Sequence, residues 1–172
     1  MSANHILLAP GASGDPKQLA RHRAGLAGRG FEVEHVALPR GSAERAMPVY
    51  REALGDQAAT TVIGGQSFGG RVATLIAPDT GPAAVVCFSY PLHAPGRQES
   101  WEERTKHWPA ISCPVLLLSG ESDPFADIGL LRQAVVQLPH ATLVTYPGLG
   151  HSLTSVLERA LEEVEAFIGA NT

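Results

Sequence analysis

Between residues 60 and 71 the chain reads Thr-Thr-Val-Ile-Gly-Gly-Gln-Ser-Phe-Gly-Gly-Arg, a β-branched run leading into Gly65-x-Ser67-x-Gly69. A stretch with helical spacing, containing Val72, Leu75 and Ile76, follows it. A serine on a sharp strand-to-helix turn presents its hydroxyl at a helix N-terminus, where free N–H groups and the helix dipole favour developing negative charge. Glycines two residues to either side relieve the crowding such a turn imposes. The chemistry this pattern suits is nucleophilic attack on an acyl carbonyl. Gly65 and Gly70 also have phosphate-loop spacing, but Arg71 and Val72 stand where Lys and a Ser or Thr are required. That reading fails for want of a magnesium-binding hydroxyl.

A serine hydroxyl is a weak nucleophile until a base takes its proton, and the base needs an acid to orient it. Downstream, Pro114–Ser119 reads as a strand that ends in Gly120-Glu121-Ser122-Asp123-Pro124. Asp123 is the candidate acid; as a residue before proline it also suits a turn or helix cap. Glu121 and Asp127 fall earlier and later in the same loop and are weaker candidates. Of the seven histidines, His5 and His35 lie in strand runs, His22 and His107 in polar helical stretches, and His140 in a turn after Pro139. His151 alone follows the final strand run and its Pro147–Gly150 turn and directly precedes the last helical pattern. The order Ser67, Asp123, His151 is the serine–acid–base order of triads built on a G-x-S-x-G strand-to-helix elbow. An oxyanion site needs two N–H donors. The backbone N–H of Phe68, after the nucleophile, and that of Ala12, in the Pro10–Gly14 loop after the first strand, are the candidates. Tyr90 and His93 follow another strand and are candidates to line the substrate pocket.

Elements that would position these residues alternate along the chain. Strands are predicted at His5–Ala9, Phe31–Ala37, Thr60–Gly64, Ala84–Phe88, Val115–Ser119 and Thr142–Tyr146. Helices are predicted at Pro16–Ala27, with Asp15 as N-cap and Pro16 in the first turn, and at Ala43–Leu54, Phe68–Ala77, Asp127–Gln137 and Ser152–Ile168. Several strand runs are continuously apolar, as in sheets covered on both faces. In the last helix, Leu153, Val156, Leu157, Ala160, Leu161, Val164 and Phe167 recur at three- and four-residue steps. Such alternation gives a doubly wound α/β fold, a mostly parallel six-stranded sheet with helices on both faces and its site at the carboxyl ends of the strands.

The bulk numbers agree. With 172 residues and 44% hydrophobic residues the chain suits one domain, 1–172. A net charge of −4 and a pI near 5.9 exclude the basic excess of a nucleic-acid binder. Arg21, Arg23 and Arg29 have the spacing of a solvated helix face. Cys87 and Cys113 lack metal-site or redox-pair spacing and read as free thiols in a reducing compartment. The N-terminal stretch lacks a basic leader region, and no apolar run approaches membrane-spanning length, so the expected setting is cytoplasmic and away from membranes.

The Gly-rich first loop, GQSFGG, GESDPF and GLGHS together resemble the α/β-hydrolase superfamily over nearly the whole chain. Within it the Pro10–Asp15, Ser89–Gly96 and Cys113–Phe125 segments are similar to the small, nearly lidless group akin to dienelactone hydrolases. That group includes the testis-expressed hydrolase-like proteins and the hydrolase-like domain of a non-specific lethal chromatin-complex subunit. The resemblance implies a minimal fold without the first two strands, a triad of Ser67, Asp123 and His151, and no metal or organic cofactor. Pro10 stands where many relatives carry His, and the longest insertion, Tyr90 to Ile111 with Trp101 and Trp108, can wall only one side of a pocket. The expected activity is hydrolysis of a small ester or thioester through an acyl-enzyme. A non-catalytic module for protein binding is the alternative, as the chromatin-complex relative suggests. Perhydrolysis or acyl transfer to another acceptor would use the same three residues.

Overall fold

The structure, a computed structural model, describes residues 3–172. Six strands form one sheet: β1 (His5–Ala9), β2 (Glu32–His35), β3 (Thr61–Gln66), β4 (Ala84–Phe88), β5 (Val115–Gly120) and β6 (Ala141–Tyr146), in the order β2-β1-β3-β4-β5-β6. Every neighbouring pair is parallel. Burial follows position in this order. β4 and β5 are buried along their whole length and β3 up to Gly65, whereas the edge strand β2 buries Val33 between exposed Glu32 and Glu34. Continuous apolar runs therefore mark the central strands, which are covered on both faces.

Helices α1 (Ala20–Ala27) and α6 (Leu157–Asn171) cover one face. Helices α2 (Ala43–Leu54), α3 (Phe68–Thr80) and α5 (Ile128–Val135) cover the other. The helical stripe read from Leu157, Ala160, Leu161, Val164 and Phe167 is buried against Ile6, Leu8, Leu116 and Leu118. Each fully buried aliphatic side chain of this kind contributes about 1.5–3 kcal/mol. The helical stretch at Pro16 begins as a 3-10 turn over Pro16–Leu19, with the Asp15 side chain accepting from Lys17 N–H at 2.9 Å. The last helix also starts through a 3-10 turn, Thr154–Val156. Arg29, expected on a solvated face, is instead held against α6 by Glu158 at 3.2 Å and Glu165 at 3.3 Å. The insertion after β4 contributes a short helix, α4 (Trp101–Thr105), in addition to the five helices expected from sequence.

β1 leads to β2 on one side and β3 lies on its other side, so the chain reverses its direction of winding between β1 and β3. A crevice opens at such a reversal, beyond the carboxyl ends of the two strands. Tyr50, on α2, locks this pair from beneath. Its ring is wholly buried, and its hydroxyl lies 2.7 Å from Leu7 O and 2.6 Å from Gly64 O while accepting from Gly64 N–H at 2.9 Å. Burial pushes the phenol far above its ordinary value, so it stays a neutral donor. Replacing Tyr50 by Phe leaves the Gly64 amide without its partner. The expected cost is about 1–3 kcal/mol in urea-induced unfolding; a midpoint unchanged from the parent protein would show the hydroxyl to be idle.

Candidate active site

β3 ends at Gln66, and α3 begins at Phe68, so Ser67 alone makes the turn. It does so at φ 50° and ψ −116°, a backbone conformation an L-residue adopts only when its surroundings enforce it. The Ser67 N–H donates to Phe88 O at 2.8 Å, and Ser67 O accepts from Arg71 N–H at 3.1 Å, fixing the turn to β4 and to the first turn of α3. A Cβ on Gly65 would overlap the carbonyl oxygen of Ala9 and crowd the Gly69 backbone, and one on Gly69 would overlap Ala9 and Pro10. The two glycines thus let α3 start directly against the end of β1.

Two further loops bring their residues to Ser67. Asp123 lies after β5 and His151 after β6, and the loops are joined by Ser122 N–H to Leu149 O at 2.8 Å and Glu121 N–H to Tyr146 O at 3.0 Å. His151 Nδ1 is 2.7 Å from Asp123 Oδ2, and His151 Nε2 is 2.8 Å from Ser67 Oγ. An ionised carboxylate only accepts, so Nδ1 carries the proton and Nε2 is free to accept from the serine hydroxyl. The Asp123 side chain is fully buried, and its other oxygen accepts from Phe125 N–H at 2.8 Å. The turn role expected of a residue before proline and the contact with His151 thus coexist in one carboxylate. Glu121 is engaged elsewhere, accepting from Thr145 Oγ1 at 2.7 Å, and Asp127 caps α5 through Leu130 N–H at 2.9 Å. The Phe125 ring stacks beside His151 at 4.5 Å between centroids.

The first loop reaches the same point. Gly14 N–H folds back to Gly11 O at 3.0 Å, and Arg40 Nε donates to Ser13 O at 2.8 Å, so an arginine after β2 braces this loop. Ala12 and Phe68 both face a cavity of about 290 Å³ beside Ser67. A second cavity, of about 300 Å³, shares Ala12, Ser67 and Phe125 with the first but adds His151 and Gln18.

Tyr90 and His93 are a correction to the sequence reading. Each is 1% exposed, and neither borders these cavities. The Tyr90 hydroxyl donates to Arg104 O at 2.8 Å, and its ring packs edge-on against the buried Trp108. His93 Nε2 accepts from Asp127 N–H at 2.9 Å, while Nδ1 lies 2.9 Å from Ala94 O. Its backbone N–H donates to Phe125 O at 3.0 Å, so His93 clamps the loop that carries Asp123. The wall of the cavity comes instead from Pro91, Arg71 and Arg104. Arg71 had a signal in the sequence, a position four residues after Ser67 on one helix face; Arg104 had none, because the folding back of the insertion places it.

The sequence profile of a family described as an alpha/beta hydrolase domain matches residues 42–168. The chain belongs to that family. Solved structures share the fold of this α/β-hydrolase at low identity. A monoacylglycerol lipase of Paleococcus ferrophilus is 16% identical over 97% of this chain and 94% of that one, with a TM-score of 0.82. Esterase 2 of Thermogutta terrifontis, phosphoramylated by tabun, is 18% identical over 98% and 84%, with a TM-score of 0.79. Est1E of Butyrivibrio proteoclasticus, with ferulic acid bound, is 15% identical over 99% and 90%, with a TM-score of 0.78.

Outside this cluster, burial and then neighbouring positive charges lower two histidines to about 4. For His22 the neighbours are His35 and Arg21, and for His107 they are Arg71 and Lys106. His22 packs edge-on against Phe88, and His107 Nε2 lies 2.9 Å from Thr74 Oγ1. Both are neutral in the fold, whereas in the unfolded chain they take up protons near 6.5. Between these values the unfolded state binds more protons, so stability is full above 6.5 and falls as pH drops towards 4. Replacing both by Gln is expected to flatten the fall of the denaturation midpoint over that window; an unchanged slope would contradict the assignment.

Proposed function

We propose that this α/β-hydrolase cleaves a small ester or thioester by acyl transfer through Ser67 to water. The observation that carries the reading is the unbroken hydrogen-bonded chain from Ser67 Oγ through His151 to Asp123. In this scheme Ser67 Oγ bonds to the acyl carbon while its proton passes to His151 Nε2. Asp123, buried and bonded to Nδ1, stabilises the resulting imidazolium. The N–H groups of Ala12 and Phe68 take the developing oxyanion, at the N-terminus of α3. Collapse breaks the bond to the leaving oxygen or sulfur, which receives the proton from His151. Water then gives a proton to His151 and attacks the acyl-enzyme, and collapse releases the acid as His151 returns that proton to Ser67 Oγ.

Two small cavities and a short insertion support small or exposed acyl groups over long chains. The two free cysteines fit a reducing, cytoplasmic setting, which is part of the same proposal.

The test uses a fluorophosphonate probe together with p-nitrophenyl acetate. Ser67 is expected to label, and Ser67→Ala to abolish labelling and lower turnover by about a thousandfold or more. An unlabelled Ser67, with turnover unchanged in Ser67→Ala, would leave the protein as a partner-binding module, the alternative that the narrower resemblance to a chromatin-complex subunit carries.

A further inference from the structure

The cavity beside Ser67 is lined by two arginines, Arg71 and Arg104. Among the described residues, neither side chain has an acidic partner within ion-pair distance. Arg71 is half-buried, and its Nε is buried with no hydrogen-bond partner. Arg104 is half-buried and donates only to a neutral acceptor, Pro91 O at 2.9 Å. Burial, and next the charge of Arg71, push the Arg104 guanidinium below its ordinary value, while Tyr90 acts the other way. Glu44 feels the charge of Arg71, but it is exposed and is held by Ser42 Oγ at 2.6 Å. His107, which also feels the charge of Arg71, is neutral in the fold. Two like charges in one partly desolvated cavity, without a counterion, are an arrangement that folding alone disfavours.

The side of the site on which these charges lie follows from the chemistry. His151 must reach the leaving group to return its proton, so the leaving group lies in the cavity that His151 borders. The other cavity, with Arg71 and Arg104 but without His151, is left for the acyl chain. A guanidinium presents a planar fork of donors that matches a carboxylate. We propose that the acyl group carries a carboxylate at its far end, held by Arg71 and Arg104, so that the substrates are half-esters or half-thioesters of short dicarboxylic acids. The inference rests on the serine-hydrolase reading above.

The test compares ethyl hydrogen glutarate with ethyl pentanoate, which has a methyl group in place of the carboxylate, by ethanol release from the intact protein. The wild-type kcat/KM is expected to favour the half-ester by about tenfold or more. Arg71→Gln should lower that ratio by about tenfold, and Arg71→Lys should restore part of it. Titration calorimetry with glutarate gives a readout that needs no turnover: binding by the wild type, weakened in Arg71→Gln. If Ser67 labels with fluorophosphonate yet the wild type shows no preference for the half-ester, the anionic acyl group is wrong and the hydrolase reading stands. If neither ester is cleaved but glutarate binds through Arg71, the anion site stands and the hydrolase reading falls. Inorganic phosphate binding more tightly than glutarate would overturn the carboxylate, as would the absence of binding by both.

Discussion

The backbone at Ser67 can turn from strand to helix within one residue only because nothing occupies the space beside Gly65 and Gly69. At φ 50° the serine sits in a conformation worth about 1–3 kcal/mol of strain. That strain is held by the Phe88 carbonyl on one side, by the first turn of α3 on the other, and by the end of β1 pressed against the missing Cβ atoms. One constraint thus orders three elements. It sets α3 against the sheet and brings Ser67, Phe68 and Ala12 of the first loop to one cavity. Tyr50 secures the same strand pair from the face that α3 also covers, at Gly64, three residues before the turn.

Around this turn, rigidity comes from backbone contacts between loops. At Gly120 a Cβ would meet the carbonyls of Leu149 and Gly150, so β5 can end directly beneath the loop of His151. His93 uses one ring nitrogen, Nε2, and its amide to hold the loop of Asp123, while Nδ1 bonds its own neighbour Ala94. The carboxylate therefore meets His151 already oriented and already desolvated, and among the described residues it has no other ion-pair partner. Electrostatics divides the site accordingly. The negative charge of Asp123 is buried behind the histidine, while the positive charges of Arg71 and Arg104 border the open cavity beyond the serine.

Much of this was legible from local signals. The fully apolar runs at Ala84–Phe88 and Val115–Ser119 mark central strands because both of their faces are covered, and the glycine spacing around Ser67 marks the turn because sterics leave few other residues there. Asp123 and His151 were found by their places after strands. The pocket was not legible in the same way. Tyr90 and His93 follow β4 as expected, but at that depth their polar atoms find backbone partners, and they become struts. Arg104 faces the cavity only because Trp108 buries itself against Tyr90 and folds the insertion back over α3, a long-range contact with no local periodicity. Arg40 braces the first loop in the same non-local way, where Pro10 offers no side-chain donor.

In the proposed reaction a strained serine, a histidine on a neighbouring loop and two backbone amides converge on one reacting carbon. A crystal structure of the phosphonylated protein tests this most directly. Phosphorus is expected on Ser67 Oγ, with its non-bridging oxygen about 2.7–3.1 Å from both the Ala12 and Phe68 nitrogens. Phosphorus on another residue, or an oxygen turned to solvent away from both amides, would contradict it.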